Sequence, residues 1–197
     1  MDNLNYAVIG NCRSAALISE KGSIDWCCLP DFNSSSVFAK ILDEKKGGSF
    51  EFIVDDSYKI TQSYFRTTNI VVTRFKSEEG CFEVVDFMPR FKTKDFGYFT
   101  PPDIIRYIKY KWGNPVFRLR YNPGVEYARF NTRLVDEEEY IKCYTTEGEY
   151  DSLYLYTDLN KQDILNENPI QLKRTAFVLV SYDQKLLNQP LDRQYLK

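Results

Sequence analysis

The chain has 197 residues, 27% of them charged, a formal net charge of −2 and no histidine. Its length fits one domain with a single substantial core, and its mixed-sign charge excludes a phosphate-binding nucleic-acid surface. The lack of histidine excludes imidazole acid–base catalysis, Ser-His-Asp nucleophilic machinery and histidine-ligated zinc.

The first predicted element is a β-hairpin. Strands at Ala15–Ser19 and Ile24–Leu29 are joined by a turn that contains Gly22, where a positive φ costs least. The composition agrees with this, because 16% of the residues are aromatic and aromatic side chains favour strands. Trp26 is therefore expected on a strand.

A short helix is predicted next, near residues 35–43. After Pro30, the serines at positions 34–36 can cap a helix, and apolar residues follow at helical spacing. Gly47 and Gly48 would end it. We expect this to be the one firm helix in the chain.

From Ser49 onward, β-rich segments alternate with turns that contain Gly, Pro and Asn. This spacing indicates an all-β fold, an antiparallel two-sheet, supersandwich-like β-sandwich that forms a single domain over residues 1–183. Residues 158–169 are interpreted as a surface loop, and residues 184–197 as a polar tail or linker toward a catalytic domain. The predicted strands are Phe50–Val54, Tyr58–Thr61, Asn69–Lys76, Cys81–Phe87, Ile104–Trp112, Val116–Tyr121, Tyr127–Val135, Glu139–Thr145, Ser152–Tyr156 and Thr175–Tyr182.

Several residues that could carry chemistry have an ordinary structural interpretation. The five cysteines form no CxxC pair, so we expect free, packed thiols and no metal site. The acidic run Asp136–Glu139 is interpreted as a solvated turn, because consecutive acids lack the spacing of a calcium loop. Tyrosines between 140 and 156 could stack on sugars, although core packing is the commoner role. Five arginines are expected to be solvated: Arg13, Arg66, Arg106, Arg118 and Arg120.

Motifs spaced from residue 6 to residue 183 carry a family resemblance. GSIDW at 22–26 is followed by CLP at 28–30 and SVFA at 36–39, and then by YFRTTN at 64–69. DFMP at 86–89 and RYNP at 120–123 come later. In this order they resemble the N-terminal β-sandwich of the family-15 glycoside hydrolases, the bacterial glucoamylase and trehalase group.

The resemblance implies a non-catalytic sandwich that packs against and supports a catalytic (α/α)6 barrel. In that family the barrel carries the paired glutamates of an inverting glycosidase, which need carboxyl groups about 6.5–9.5 Å apart. We therefore assign no catalytic residue, metal or cofactor to this chain, and expect it to be inactive alone. The family's Pro-Arg-Phe-Asp-Ser is PDFNS at residues 30–34 here, so the family's contacts at this segment cannot be carried over directly.

Seven residues are candidates for a surface that faces the barrel or lies near a sugar. An indole beside a carboxylate suits sugar binding, although a core tryptophan and a turn-stabilising aspartate fit the same pair. The loop after Pro30 could carry recognition on a rigid scaffold, or could be a helix N-terminus with a staple-like aromatic residue. An apolar surface patch of several hundred Å² is expected near Phe32 and Phe38. The candidates are Asp25, Trp26, Pro30, Asp31, Phe32, Ser34 and Phe38.

Two other functions stay open, a free-standing carbohydrate-binding module for α-glucans and a protein-interaction sandwich. An autonomous hydrolase fits least, because no motif specifies a catalytic pair. The expected partners are the barrel and an α-glucan or trehalose. Neither nucleic acid nor a membrane is expected, since no run of 18 apolar residues occurs. The start of the chain resembles no secretory leader, so a cytoplasmic location is expected.

Overall fold

The computed structural model describes residues 5–183 and 185, and it contains seventeen strands within that part of the chain. Two short helical segments accompany them, a 3-10 segment at Glu126–Ala128 and the helix α1 at Lys161–Leu165. In chain order the strands are β1 (Tyr6–Gly10), β2 (Ala15–Ser19), β3 (Ile24–Cys28), β4 (Ser36–Phe38), β5 (Gly48–Ile53), β6 (Lys59–Tyr64), β7 (Val71–Lys76), β8 (Gly80–Phe87), β9 (Phe91–Lys92), β10 (Tyr98–Phe99), β11 (Asp103–Gly113), β12 (Val116–Pro123), β13 (Thr132–Asp136), β14 (Ile141–Thr145), β15 (Ser152–Thr157), β16 (Ile170–Gln171) and β17 (Ala176–Tyr182).

The strands form two large antiparallel sheets, which confirms the predicted sandwich. Sheet A has the order β1-β2-β3-β5-β12-β16, and β4 pairs with β3 beside it. Sheet B has the order β13-β14-β15-β17-β11-β8-β7-β6. The strands β9 and β10 pair only with each other, in a separate two-stranded sheet.

The core lies between the sheets and is rich in aromatic side chains. The ring centroid of Phe52 in sheet A lies 6.0 Å from that of Phe75 and 6.1 Å from that of Phe82 in sheet B. On β7, Phe75 is buried whereas its neighbours Arg74 and Lys76 are exposed, as the two-residue period of a strand requires. Each fully buried phenylalanine contributes about 1.5–3 kcal/mol of hydrophobic stabilisation.

One arginine lies inside this core. Arg106 on β11 is fully buried, and its Nε donates to Oδ1 of the equally buried Asp86 at 2.8 Å. Its Nη1 donates to the backbone carbonyl of Phe50 in sheet A, and its Nη2 donates to that of Gly22 in the turn between β2 and β3. The prediction of a solvated Arg106 is therefore wrong. The register places Asp86 directly opposite Arg106, and a buried charge needs such a partner. Among the other four arginines, Arg66 and Arg118 are exposed as predicted. Arg13 and Arg120 are half-buried and form ion pairs with Asp31 and Glu167.

The predicted helix near residues 35–43 is wrong. Ser36–Phe38 is the strand β4, and residues 40–46 form turns. Phe38 pairs with Cys27 of β3, and the amide groups of residues 39 and 40 donate to the carbonyls of Gly47 and Gly48. Pairing with β3, together with the bonds to the Gly47 and Gly48 carbonyls, supplies the backbone hydrogen bonds that a helix would have made. Tertiary context thus overrides the local helical spacing.

A helix forms instead within the predicted surface loop at residues 158–169. The side chain of Asn160 accepts a hydrogen bond from the Gln162 amide at 2.9 Å and caps α1, and Ile164 anchors the helix by being buried. The asparagine was a visible signal, but the helix is only five residues long.

The predicted tail at residues 184–197 lies outside the described residues, apart from Lys185. The division between a domain at residues 1–183 and this tail stays a prediction. Within the described part of the chain, no helix has the length and apolar character needed to cross a membrane.

Candidate functional site

Antiparallel pairing brings six loops to one end of the sandwich, which we call the loop end. In sheet B, Val71 pairs with Asp86, so the β6–β7 turn lies beside the connection from β8 to β11. The side-chain amide of Asn11 donates to the Pro101 carbonyl at 2.9 Å and joins sheet A to the same connection. The loop end comprises residues 11–14, 29–35, 65–70, 88–102, 124–131 and 146–151.

The last described strand also finishes at the loop end. Ser181 of β17 pairs with Asp103, the first residue of β11. The Tyr182 amide then donates to the Pro102 carbonyl at 3.3 Å. In any longer polypeptide, the segment after residue 183 would therefore start beside the loop end.

Exposed aromatic side chains concentrate at the loop end. Phe96 is 83% exposed, whereas Trp112, at the opposite end of the sandwich, is 44% exposed. Large exposed apolar patches on soluble proteins mark interaction surfaces. The other exposed aromatic residues within or bordering the loop end are Phe32, Tyr64, Phe65, Phe91, Tyr98, Phe99, Tyr127 and Tyr150.

Two adjoining hollows form a groove across the loop end. They have volumes of about 830 and 500 Å³, share Cys12, Thr68 and Asn69 among their walls, and reach Phe91 on one side and Phe32 on the other. Side-chain bonds between the sheets hold these walls in place. The Asn69 side chain, for example, donates to the Gly10 carbonyl at 2.5 Å.

The groove is also closed by a tyrosine at the edge of the sandwich. The Val8 amide donates to the Tyr64 hydroxyl at 2.7 Å, and the same hydroxyl donates to the Val8 carbonyl at 3.2 Å. Because β1 and β6 are the edge strands of sheets A and B, this contact joins the two sheet edges.

The predicted segment after Pro30 is a fixed loop that presents Phe32 outward. Arg13 Nε donates to Asp31 Oδ1 at 2.6 Å, and this hydrogen bond lowers the pKa of the Asp31 carboxyl. The Asp31 amide donates to Ser34 Oγ at 3.1 Å, and the Phe32 amide donates to the Arg13 carbonyl at 3.0 Å. A strand follows the loop, so the alternative of a helix N-terminus here is wrong.

Asp25 and Trp26 lie on β3 rather than in the loop end. Asp25 is 5% exposed and accepts hydrogen bonds from the Tyr6 hydroxyl at 3.1 Å and from Ser23 Oγ at 2.5 Å. Trp26 is half-buried and pairs in register with Leu17 of β2. The sequence allowed a structural role for Asp25, in which it stabilises the neighbouring turn. The hydrogen bond from Ser23 has this role.

Phe38 does not lie on the surface. Its side chain is fully buried, with ring-centroid distances of 6.4 Å to Phe50 and 6.3 Å to Tyr121. The expectation of a surface patch that includes Phe38 is therefore wrong, because β4 turns this residue into the core. The exposed aromatic surface extends from Phe32 toward Phe91 instead.

Beside Asp25, a polar groove of about 810 Å³ crosses the outer side of sheet A. Glu51 lies in it, 3.1 Å from the Lys40 ammonium and 3.7 Å from the Arg120 guanidinium. Burial alone would raise the pKa of Glu51, but the Ser49 and Lys40 hydrogen bonds and both cations outweigh it and lower the pKa. In this groove Glu51 is therefore an ionised carboxylate paired with two cations. Across the described residues, no cluster of three His, Cys, Asp or Glu side chains could hold a metal ion.

The loop end contains a strained turn that the sequence did not predict. Glu126, Tyr127 and Ala128 all have positive φ, at 54, 57 and 54°, where a strand from Tyr127 was expected. Such a conformation costs about 1–2 kcal/mol for each non-glycine residue. Glu126 is held by the Ser35 hydroxyl at 2.6 Å, which lowers its pKa, and by Arg129 at 2.9 Å. The turn is thereby fixed to the segment after Pro30.

Other sequence motifs have structural roles. All five cysteines are free and four are buried, but Cys12 is exposed in the groove, so the expectation of a packed thiol is wrong there.

Tyr140 is nearly buried and its ring centroid lies 5.2 Å from that of Tyr154, which is packing rather than an open platform. The residues after Asp136 form a hairpin turn, in which the Glu137 amide donates to the Tyr140 carbonyl at 2.9 Å.

Comparison with known proteins gives a consistent result. Residues 4–188 match the family described as "Trehalase-like, N-terminal". The chain is 30% identical over 188 residues to a trehalase of Thermoplasma acidophilum, a match that covers 92% of this chain and 32% of the relative. It is 32% identical over 148 residues to a trehalase of Thermoplasma volcanium, covering 73% and 23%. No solved structure matches the chain significantly.

A shorter match reaches 44% identity over 81 residues with trehalase 1 of Sulfolobus acidocaldarius, and it covers 41% of this chain and 14% of that relative. The chain therefore spans at most about a third of the length of these curated relatives. The family match, by contrast, extends over nearly all of its own residues. The chain belongs to the family of trehalase-like N-terminal domains.

Proposed function

We propose that the chain is the non-catalytic N-terminal domain of a trehalase-like glycoside hydrolase, and that its loop end packs against and supports the catalytic domain. One observation carries the proposal: the exposed aromatic side chains lie at the end where β17 finishes. A domain that follows the sandwich would start beside the exposed aromatic surface, which is the kind of surface that packs against a partner. The catalytic domain is the (α/α)6 barrel that the family resemblance implies, acting by inversion on trehalose or an α-glucan.

The carboxylates of the loop end do not suit glycoside hydrolysis. An inverting enzyme needs a general acid with a raised pKa opposite a general base. Asp31 and Glu126 instead have lowered pKa values and are engaged by Arg13 and by Ser35 with Arg129. Burial raises the pKa of Asp151, but this side chain is only 5% exposed, accepts from the Ser152 amide and does not line the groove. This favours a non-catalytic role for the sandwich, with hydrolysis carried out by the catalytic domain.

Docking would stabilise both partners. A stable interface buries about 800 Å² on each side, and the exposed aromatic residues of the loop end can supply its apolar centre. Because the two domains are joined in one chain, the contact forms at a high effective concentration, so each domain raises the unfolding free energy of the other.

The test is the mass and activity of the native polypeptide. An antibody raised against this chain should detect, in the source-cell extract, a band several-fold heavier than 23.2 kDa that hydrolyses trehalose after purification. The 197-residue chain expressed alone should release no glucose. A native band at 23.2 kDa, or glucose release by the chain alone, would contradict the proposal. A cytoplasmic location is part of the proposal, and fractionation of the same extract tests it.

A carbohydrate-binding module is the second candidate, because Trp112 presents a partly exposed indole at the end of β11. Titration of the chain with trehalose and maltooligosaccharides distinguishes the two functions. Millimolar or tighter binding would favour the carbohydrate-binding module if Trp112→Ala abolishes it without unfolding the chain. Absence of binding would favour the docking domain.

A further inference from the structure

The β9–β10 hairpin, residues 90–99, projects from the loop end without joining either large sheet. We call it the hairpin arm. Every residue of the arm is exposed except Thr93, which is half-buried. Two-stranded hairpins have little stability of their own in water. An arm of this kind therefore needs either strong internal contacts or a partner.

The internal contacts of the arm are aromatic. The Arg90 guanidinium lies 3.8 Å from the centroid of the Tyr98 ring, and the Phe91 and Phe99 rings are 5.1 Å apart. The Thr93 amide donates to the Gly97 carbonyl at 3.0 Å and closes the turn. These contacts shape the arm in advance but leave its large aromatic faces open to solvent.

The arm also carries an excess of positive charge. Arg90, Lys92 and Lys94 outnumber its one acid, Asp95, in a chain whose total charge is −2. The Lys92 ammonium lies 5.4 Å from the Phe96 ring centroid, so a cation flanks the most exposed aromatic side chain. A surface that complements the arm would combine an apolar pocket with acidic side chains around it.

The base of the arm lies where the chain leaves the sandwich. Met88 is buried before the arm, and the carbonyls of Pro101 and Pro102 after it accept hydrogen bonds from Asn11 and from the Tyr182 amide. A domain attached after residue 183 would thus be tethered within a few residues of the arm. Such a tether favours contact with that domain over contact with a free partner.

We propose that the hairpin arm inserts Phe96 and its neighbouring aromatic residues into an apolar pocket with an acidic rim on the catalytic domain. The arm thereby fixes the orientation of that domain on the sandwich. This inference rests on the proposed function, since it takes the catalytic domain as the partner. The relatives leave ample chain for such a partner, because the match covers only 32% of the Thermoplasma acidophilum trehalase.

Hydrogen exchange of the backbone amides tests the inference. The longer native polypeptide and the 197-residue chain are exchanged in parallel, and peptides that cover residues 90–99 are followed by mass spectrometry. We expect these amides to exchange at least about tenfold more slowly in the longer polypeptide. Equal rates in the two samples would overturn the inference.

A pair of variants in the longer polypeptide makes the test specific. Phe96→Ser should return the arm's exchange toward the rate in the 197-residue chain, and Phe96 is too exposed for its loss to unfold the core. The matched control Trp112→Ser removes a partly exposed aromatic residue at the opposite end and should leave the protection unchanged. Equal effects of the two variants would count against a specific contact by the arm.

Other occupants give different results, each of which would overturn the inference. Protection that appears in the 197-residue chain as its concentration rises would indicate a second copy. Protection that appears only with phosphatidylcholine–phosphatidylglycerol vesicles would indicate a lipid surface. Trehalose hydrolysis by the longer polypeptide separates the two proposals. If that polypeptide is active but its arm amides are not protected from exchange, the arm contact is refuted and the proposed function is still supported.

Discussion

Arg106 links the two sheets directly. Its guanidinium bonds to Asp86 within sheet B, to the Phe50 carbonyl of sheet A and to the Gly22 carbonyl in the β2–β3 turn. Its carbon atom Cζ also lies 4.8 Å from the Phe50 ring centroid. Solvated charge is the default expectation for an arginine, but Arg106 lies between Ile104 and Ile108 on a strand face that is buried in the core. Only the register between β8 and β11, which is not encoded locally, brings Asp86 opposite it.

Arg106→Met should destabilise the domain by about 3–5 kcal/mol, because it leaves Asp86 buried without its partner. Urea denaturation measures this loss. The double variant Asp86→Leu/Arg106→Met removes both charges and should lose less than the single variant, which keeps the test valid if the single variant does not fold. Arg66→Met, at an exposed position, should change the unfolding free energy by no more than about 0.5 kcal/mol. A similar loss in both single variants would contradict the assigned role.

The turns between strands constrain the backbone at a few glycines. The sequence predicted the turn after β11 from residues 113–115, and the structure gives Gly113 a φ of +75° there. A Cβ on Gly113 would lie 2.2 Å from the Glu79 carbonyl oxygen and 2.7 Å from the Gly80 Cα. Both contacts are to backbone atoms, which cannot easily move. This position therefore requires glycine on steric as well as conformational grounds.

Gly113→Ala should accordingly cost more than about 1 kcal/mol of stability, because the strained φ and the backbone clash add. Gly97→Ala in the hairpin arm is the matched control. Its new Cβ would meet only the Thr93 hydroxyl, at 3.1 Å, and its φ is not in the left-handed region. Thermal unfolding should show a clear fall in Tm for the first variant and little change for the second. Equal shifts would show that Gly113 is not constrained as described.

Element prediction succeeded where the pattern is long and failed where pairing is non-local. The predicted β8 and β11 fall within a residue of the observed Gly80–Phe87 and Asp103–Gly113, because each has a long apolar pattern. The strand β4 is only three residues long and is defined by its pairing with β3, so its apolar residues resembled a helix. Local spacing does not contain that pairing.

On the scale of the whole molecule, ion pairs on the sheet surfaces contribute to the response to acid. Glu83 on β8 accepts from Arg74 at 2.7 Å and from Lys111 at 3.3 Å. Burial alone would raise the pKa of Glu83, but these hydrogen bonds and charges outweigh it and lower the pKa. Glu83 thus stabilises the fold while it is ionised.

The stabilisation from Glu83 should be fully present above its unfolded-state pKa of about 4.3, and should be lost as the pH falls through its lower folded-state pKa. Glu83→Gln is therefore expected to lower Tm more at pH 6 than at pH 3. Thermal unfolding at the two pH values measures this, with Glu44→Gln on an exposed turn as the control. A loss of Tm for Glu83→Gln that is independent of pH would refute the electrostatic explanation.

The loop end itself could be predicted only in part. The segment after Pro30 was identified as exposed and aromatic, and Phe32 does lie there at 55% exposure. The hairpin arm and the left-handed turn at Glu126–Ala128 were not foreseen, since neither has a recognisable local pattern. Their position beside Phe32 follows from the order of strands in two sheets, which a single sequence does not reveal.

The Tyr64 hydroxyl occupies both backbone groups that Val8 would otherwise present to the outside of sheet A. An open sheet edge is a template on which a strand of another molecule can add, and repeated addition produces fibres. Here a side chain from the opposite sheet takes the place of that strand. The same hydroxyl that closes the sandwich thus removes Val8 as a point at which an added strand could attach to this edge.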